Sequence, residues 1–258
     1  MFRRRVDLLN FKATLNPGIY VYPFKFKLDD NLPGSFRIKN GSSFGQIVYK
    51  LKAEVTRPGM FQANVKHTQF IQLSTRLSRP IQSIQASKGA NVTKLWCIDM
   101  GNVALSVILD KNAYSPGDVA NLVISIDNTA SDVTLKHVSF KLVNNVHMRA
   151  DNYSKSFCNC ACKNQAPSIP KGDTAHIQFN LDLPHTLTPT TVSSLINSYY
   201  EFEVILSVPC SADVIMRLPV TIFAPDPVDY IPIVQYPTDR PPQYQKSIEI
   251  RPEMFKLY

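Results

Sequence analysis

Alternation with a period of two runs through most of this chain, and no other feature restricts the fold as much. Between Ile19 and Leu28 the even positions Tyr20, Tyr22, Phe24, Phe26 and Leu28 are apolar, while Lys25 and Lys27 take odd positions. Between Ile47 and Val55 the parity reverses: Ile47, Tyr49, Leu51, Ala53 and Val55 form an apolar face, and Lys50, Lys52 and Glu54 a polar one. Successive side chains of a strand point to opposite faces, so this pattern predicts half-buried strands, each with a core face and a wet, mostly basic face. The alternation returns from Val103 to Leu109, Ala120 to Ile126, Ala175 to Leu183, Tyr200 to Val208 and Val214 to Ile222. Turn chemistry separates these runs, at Asn31-Leu32-Pro33-Gly34-Ser35, at Lys39-Asn40-Gly41-Ser42 and from Asp110 to Asp118. No segment carries a sustained helical period with caps. Many short strands joined by turns predict an all-β chain built as β-sandwiches.

Two stretches are less regular. Phe61 to Leu73 is extended but alternates poorly, and Ser74 to Gly101 holds Pro80, Gly89 and mixed polarity, with Trp96 expected to anchor its far end. The second stretch separates two β regions and reads as a connection. The expected organisation is a first sandwich over residues 1–85, a connection over 86–101, a second sandwich over 102–224 and a disordered tail over 225–258.

Composition limits the function. Hydrophobic content of 44% and charged content of 19% over 258 residues are those of a globular protein with ample length for a core. No apolar run approaches the roughly 20 residues of a membrane-spanning helix, and the basic N-terminus lacks the apolar stretch of a signal peptide. Five cysteines without an export signal point to reduced thiols in the cytosol. The net charge of +8 is uneven. Residues 1–90 hold 15 Lys/Arg against four Asp/Glu, and residues 91–223 hold nine against 11. The basic first third suggests an acidic partner: a phosphorylated peptide or an anionic lipid surface, with Lys25, Lys27, Lys50 and Lys52 as the candidate patch. Without a recognisable nucleic-acid module, nucleic acid is disfavoured. There is no G-x-S-x-G, no H-E-x-x-H and no phosphate-cradling glycine loop, so neither an enzyme nor a bound cofactor is expected. Cys158-Asn159-Cys160-Ala161-Cys162 invites a metal reading. Structural zinc takes four ligands at wider spacing, so an exposed cysteine-bearing loop without metal is expected.

The tail holds seven of the 19 prolines, among them Pro241 and Pro242 in the sequence Arg240-Pro241-Pro242-Gln243-Tyr244. Two consecutive prolines favour an extended polyproline II segment that loses little entropy on docking into an aromatic groove, and Tyr244 fills a second pocket. This is the ligand shape that WW domains bind. Tyr230-Ile231-Pro232-Ile233 also matches a tyrosine-x-x-hydrophobic sorting signal through Tyr230 and Ile233.

Three groups of residues resemble one family. Tyr22 to Leu28, Leu32 to Phe36 and Gly45 to Val55 look like the second half of an arrestin N-domain, most similar to the α-arrestins. Leu109 to Asp118 resembles the start of the C-domain, and Tyr199 to Cys210 with Leu218-Pro219-Val220 resembles its last strands. The resemblance implies two arrestin-like, immunoglobulin-type sandwiches, the first incomplete because the family's N-domain begins several strands earlier. It also implies an adaptor. Pro-Pro-x-Tyr motifs in α-arrestin tails recruit HECT-type ubiquitin ligases, and Pro241, Pro242 and Tyr244 match that motif in a single copy. The cargo would be cytoplasmic regions of membrane receptors or transporters, and the site of action the cytoplasm, peripherally at plasma membrane and endosomes. Two alternatives are a trafficking-coat subunit like the retromer scaffold subunit and a redox-linked regulator acting through Cys97 or Cys210.

Overall fold

The computed structural model describes residues 24–26, 28–29, 32–55, 64–74, 77, 79–94, 98–224 and 248–250. All regular structure among them is strand, in the order β1 (Phe24–Phe26), β2 (Phe36–Asn40), β3 (Ser43–Ile47), β4 (Tyr49–Val55), β5 (Val65–Ile71), β6 (Ile84–Lys94), β7 (Ile98–Leu109), β8 (Ala113–Tyr114), β9 (Val119–Asp127), β10 (His137–Ala150), β11 (Tyr153–Ala166), β12 (Thr174–Asp182), β13 (Thr191–Val192), β14 (Ile196–Ser207), β15 (Val214–Ile222) and β16 (Ile248–Ile250). The chain divides into two compact units, Met1–Leu32 with Pro227–Tyr258, and Pro33–Asp226. In the smaller unit β1 pairs in parallel with β16, so three residues of the expected structureless tail form a strand.

The larger unit is dominated by a sandwich. One sheet runs β12-β9-β7-β6, and the other runs β11-β10-β14-β15-β8, with β13 added at β14. The alternation read from sequence is the burial pattern observed: in β9, Ala120, Leu122, Ile124 and Ile126 are fully buried and the residues between them face outward. Phe140, Phe179, Phe202 and Tyr114 fill the space between the sheets. Phe140 stacks on Phe202 at 4.7 Å between ring centroids, and Tyr114 meets Phe202 edge-on at 5.8 Å. Each such ring buries enough apolar surface to be worth about 2–3 kcal/mol relative to exposure.

The turn from Asp110 to Asp118 has a structural role. The Tyr114 hydroxyl donates to Asp110 Oδ1, Asn121 Nδ2 donates to Asp110 Oδ2 at 3.0 Å, and the Ser115 amide donates to Asp118 Oδ2 at 2.8 Å. Burial and the neighbouring Asp110 carboxylate push the Tyr114 hydroxyl far above its ordinary range, so it remains a donor.

Residues 86–101, expected to connect two domains, hold most of β6 and the start of β7. β6 pairs antiparallel with β7 from Ile84↔Leu109 to Lys94↔Ile98, with an irregularity between Asn91 and Thr93. The described residues of this stretch are thus the edge strand β6 and the start of its neighbour β7 in the second sandwich. The mixed polarity of β6 reflects the edge position: Gln85 and Ser87 face outward, Val92 is buried, and Lys88, on the core-side parity opposite Leu105, runs to the sandwich rim and donates to the Ile215 carbonyl at 2.8 Å. Trp96 lies outside the described residues.

β10, β11 and β14 are longer than the sandwich needs. Up to Leu142 the inward residues of β10 belong to the main core; then Asn144, Ser198 and Tyr200 form a polar layer. The Ser198 hydroxyl donates to Asn144 Oδ1 at 3.0 Å, Asn144 Nδ2 donates to the Tyr200 hydroxyl at 3.1 Å, and that hydroxyl donates to the Thr188 carbonyl at 2.9 Å. Beyond it Val146 and Ile196 join Phe36 of β2 in a second, smaller core, with Ile38, Ile47, Met148 and Phe157 against it. The β2–β3 hairpin therefore seats on the extended ends of the second sandwich's strands. Gly45 is the close-approach residue: a Cβ there would stand 2.5 Å from Met148 Sδ.

Candidate functional site

The proline motif Pro241, Pro242, Tyr244 and the sorting sequence Tyr230, Ile233 lie outside the described residues, as does Lys27. Lys25 is in β1, where the backbone alone is described. The geometry of the remaining candidates, Lys50 and Lys52, is fully set out by the β4–β5 hairpin.

The register pairs Lys50 with Phe70, Lys52 with Thr68 and Glu54 with Lys66 on one face, and Tyr49 with Ile71, Leu51 with Gln69, Ala53 with His67 and Val55 with Val65 on the other. Lys50 Nζ lies 5.1 Å over the Phe70 ring, which holds the ammonium at the surface with its donors facing water. Glu54 sits beside two cations, at 3.8 Å from Lys52 Nζ and 3.5 Å from Lys66 Nζ, and accepts a hydrogen bond from Asn64 Nδ2 at 2.8 Å. That hydrogen bond, with the two lysines, holds the Glu54 carboxyl below its usual range. These exposed pairs contribute little to stability, so the face is electrostatic in character. Across β2 to β5, Arg37, Lys39, Lys50, Lys52 and Lys66 stand against Glu54 alone. Arg37 rests over Phe44 at 5.7 Å, repeating the cation-on-ring arrangement of Lys50. On the β4–β5 face the register adds Lys66 and Phe70 to Lys50 and Lys52, while Arg37 and Lys39 belong to the separate β2–β3 hairpin. Lys66 and Phe70 were missed because Phe61 to Leu73 alternates poorly, and the cross-strand register is what aligns them with Lys50 and Lys52.

The outward face of the longer sheet carries a second polar array. Glu203, 8% exposed, accepts from Arg217 Nε at 2.8 Å and pairs with Lys141 Nζ at 2.8 Å. Glu201 lies 3.6 Å from Arg217 Nε and accepts from Asn145 Nδ2 at 2.9 Å. Burial pushes the Glu203 carboxyl up, but the hydrogen bonds from Lys141 and Arg217 outweigh it and leave the group below its ordinary value. The two carboxylates and two cations cancel, so this array holds β10, β14 and β15 in register. Next to it Asn145, His147, Ser156, Cys158, Asn197 and Tyr199 surround a shallow depression of about 530 Å³.

The cysteine triplet is in strand β11, a correction to the expected loop. β11 lies at the edge of its sheet, which leaves Cys158 and Cys160 exposed although they are in a strand. Cys158 pairs with Asn145 and Cys160 with Val143, on the outward face. A register shift between Leu142 and Val143 then places Cys162 opposite inward-facing Leu142. The three sulfurs therefore do not converge. Cys162 packs against the main core, and burial pushes its thiol up to about 11. Among the described residues no three His, Cys, Asp or Glu side chains are grouped to hold a metal ion. Cys210 is exposed at the turn after β14, with a positive φ of 57°, and Cys97 lies outside the described residues. Among the described residues no helix is long and apolar enough to cross a membrane.

Residues 99–227 match the family model for the arrestin (or S-antigen) C-terminal domain, and residues 7–76 match that for the arrestin (or S-antigen) N-terminal domain. The chain belongs to the arrestin-domain family, on its α-arrestin side. Arrestin domain-containing protein A of Dictyostelium discoideum is 26% identical over 232 residues, covering 87% of this chain and 38% of the relative. Arrestin domain-containing protein C of the same organism is 23% identical over 234 residues, covering 86% and 34%. Arrestin domain-containing protein 5 of Bos taurus is 23% identical over 228 residues, covering 83% and 67%. The chain thus spans little more than a third of the length of the Dictyostelium relatives. Set on this family's frame, the second sandwich is the arrestin C-domain, and the β2–β5 hairpins fall in the N-domain match.

Proposed function

We propose that this arrestin-domain chain is a trafficking adaptor that brings a WW-domain, HECT-type ubiquitin ligase to membrane-protein cargo, for ubiquitination, endocytosis and endosomal sorting. The observation that carries the reading is the pairing of a two-domain arrestin match with the tail sequence Pro241-Pro242-Gln243-Tyr244. The tail docks on the WW domain through its pre-extended prolines and through Tyr244. The body faces the cytoplasmic part of a receptor or transporter and the anionic leaflet around it, with Lys50, Lys52 and the cross-strand Lys66 as the electrostatic contact and Lys25 and Lys27 as further candidate cations. Tyr230 and Ile233 supply a sorting signal in the same tail. The mechanism is proximity: tethering raises the effective concentration of the ligase at its substrate, and no chemical step falls to this chain.

Titration of a tail peptide, residues 224–258, against isolated WW domains tests the ligase half. Saturable binding that Tyr244→Ala abolishes supports it. Absence of tyrosine-dependent binding removes it and directs attention to the coat-subunit reading, in which the sheets alone engage partners.

A further inference from the structure

Cys158 and Cys160 are both exposed, and both project from the outward face of edge strand β11. Residues two apart on one face of a strand are separated by roughly 6.5–7 Å, well beyond the 3.5–4.5 Å between Cβ atoms that a disulfide requires. They cannot bond to each other without bending the strand, and the register shift at Ala161 turns Cys162 to the other side, into the core. Two thiols therefore stay unbridged on one face, Cys160 Sγ making only a weak hydrogen bond to the Cys162 carbonyl at 3.6 Å. Cations flank them on the same face: Lys163 pairs with Lys141 on one side, and Arg149 pairs with Ser154 on the other, beyond His147. Lys141 is engaged by Glu203, whereas Lys163 is exposed. Over the outward face of β10, β11, β14 and β15, Lys141, Arg149, Lys163 and Arg217 stand against Glu201 and Glu203, which leaves Arg149 and Lys163 as the excess cations. On the same face Tyr199, opposite Asn145, is 47% exposed, while Tyr153, 83% exposed, stands on the other parity at the hairpin end. Cations with a tyrosine around an apolar anchor are the chemistry of a membrane interface.

We propose that Cys158 and Cys160 are a paired S-acylation site that anchors this face of the C-domain to the cytoplasmic leaflet. The donor is a long-chain acyl-coenzyme A presented by an acyltransferase. The cysteine sulfur attacks the acyl carbonyl, the new Sγ–C bond forms as the bond to the coenzyme A sulfur breaks, and the cysteine proton leaves with the coenzyme A thiol. Strand parity gives the pair its use, because two chains on one face can enter the same bilayer. One acyl chain holds a protein only marginally, while two chains, or one chain with a basic patch, hold it stably. The proposal rests on the membrane-side part of the adaptor reading and is separable from its ligase part.

The test is metabolic labelling of the full chain with an alkyne-bearing palmitate analogue, with hydroxylamine cleavage to identify thioesters and membrane fractionation alongside. Expected are hydroxylamine-sensitive label on the natural chain, partial label in Cys158→Ser and in Cys160→Ser, and loss to background with a shift to the soluble fraction in the double variant. Cys210→Ser and Tyr244→Ala keep full label, Tyr244→Ala while losing ligase binding. An unlabelled natural chain, or label that persists in the double variant, overturns the proposal. Full label with no Tyr244-dependent ligase binding instead counts against the ligase reading and leaves this one standing.

Discussion

The β9 strand and the β4–β5 hairpin begin from the same sequence pattern and end in opposite environments. In β9, Ala120, Leu122, Ile124 and Ile126 alternate with outward residues and are buried at 0–2% exposure, because β12 and β7 flank the strand and the longer sheet covers its inner face. In the hairpin, Tyr49, Leu51, Ala53 and Val55 alternate as regularly, yet Val55 and its partner Val65 are each 57% exposed. Period two specifies a strand and its two faces, while burial requires a second layer. The C-domain supplies that layer from its own chain. Among the described residues β2–β3 takes that layer from the C-domain's Val146 and Ile196, and β4–β5 has only a seam: the Tyr49 hydroxyl donates to the Pro33 carbonyl at 2.7 Å, and Ser35 and Leu73 exchange hydrogen bonds at 2.8 and 2.9 Å.

Removing one phenylalanine from each region should separate the two environments most widely. Phe202→Ala removes a fully buried ring that touches Phe140 and Tyr114, and should cost about 3–5 kcal/mol in denaturant unfolding. Phe70→Ala, at a 63% exposed ring, should stay within about 0.5 kcal/mol. Similar costs at the two sites would mean that the hairpin is as well covered as the sandwich. Next comes Gly101→Ala. Gly101 has φ +90°, and a Cβ there would collide with the backbone carbonyl of Ala130, which cannot move aside as a side chain does. A loss of roughly 2–3 kcal/mol is expected, against about 1 kcal/mol for Gly45→Ala, where flexible Met148 yields.

The charge arrays sharpen the contrast further. Glu203→Gln breaks a half-hidden ladder and should cost roughly 1–2 kcal/mol at neutral pH. The folded Glu203 carboxyl lies below its ordinary 4.5, so its contribution is present above that value and is lost as pH falls through the folded one. The variant should therefore show a flatter acid limb in stability against pH; an unchanged limb would mean that the ladder is not coupled to folding. The smallest effect concerns dynamics without substitution. In hydrogen exchange of the full chain, amides of β7, β9, β10 and β14 should open only with global unfolding, and those of β4–β5 should exchange through local opening, orders of magnitude faster. Equal protection would reveal a cover over Val55 and Val65.

Much of the fold was legible because the C-domain strands are locally consistent. Val103 to Leu109 and Val214 to Ile222 carry clean alternation, and Asp110 to Asp118 states its turn in its residue types. The residues that escaped are those decided by partners distant in sequence. Ile84 to Lys94 looked like a connection because an edge strand needs only one bonded neighbour and tolerates Lys88 and Gly89. The triplet from Cys158 to Cys162 looked like a loop because nothing in its composition announces the bulge that divides its thiols between two faces. Of the candidate patch, Lys50 and Lys52 were readable from parity, whereas Lys66 and Phe70 needed the register.

The adaptor reading requires one chain to hold two things at once, and a bridging measurement tests that most directly. A fluorescent WW-domain protein is mixed with anionic vesicles at low salt, with and without the full chain, and its co-sedimentation is measured. The account predicts co-sedimentation only when the full chain is present, loss with Tyr244→Ala, which releases the WW domain, and a drop with Lys50→Glu/Lys52→Glu, which releases the membrane. Co-sedimentation that ignores Tyr244, or none at all with the natural chain, would contradict it.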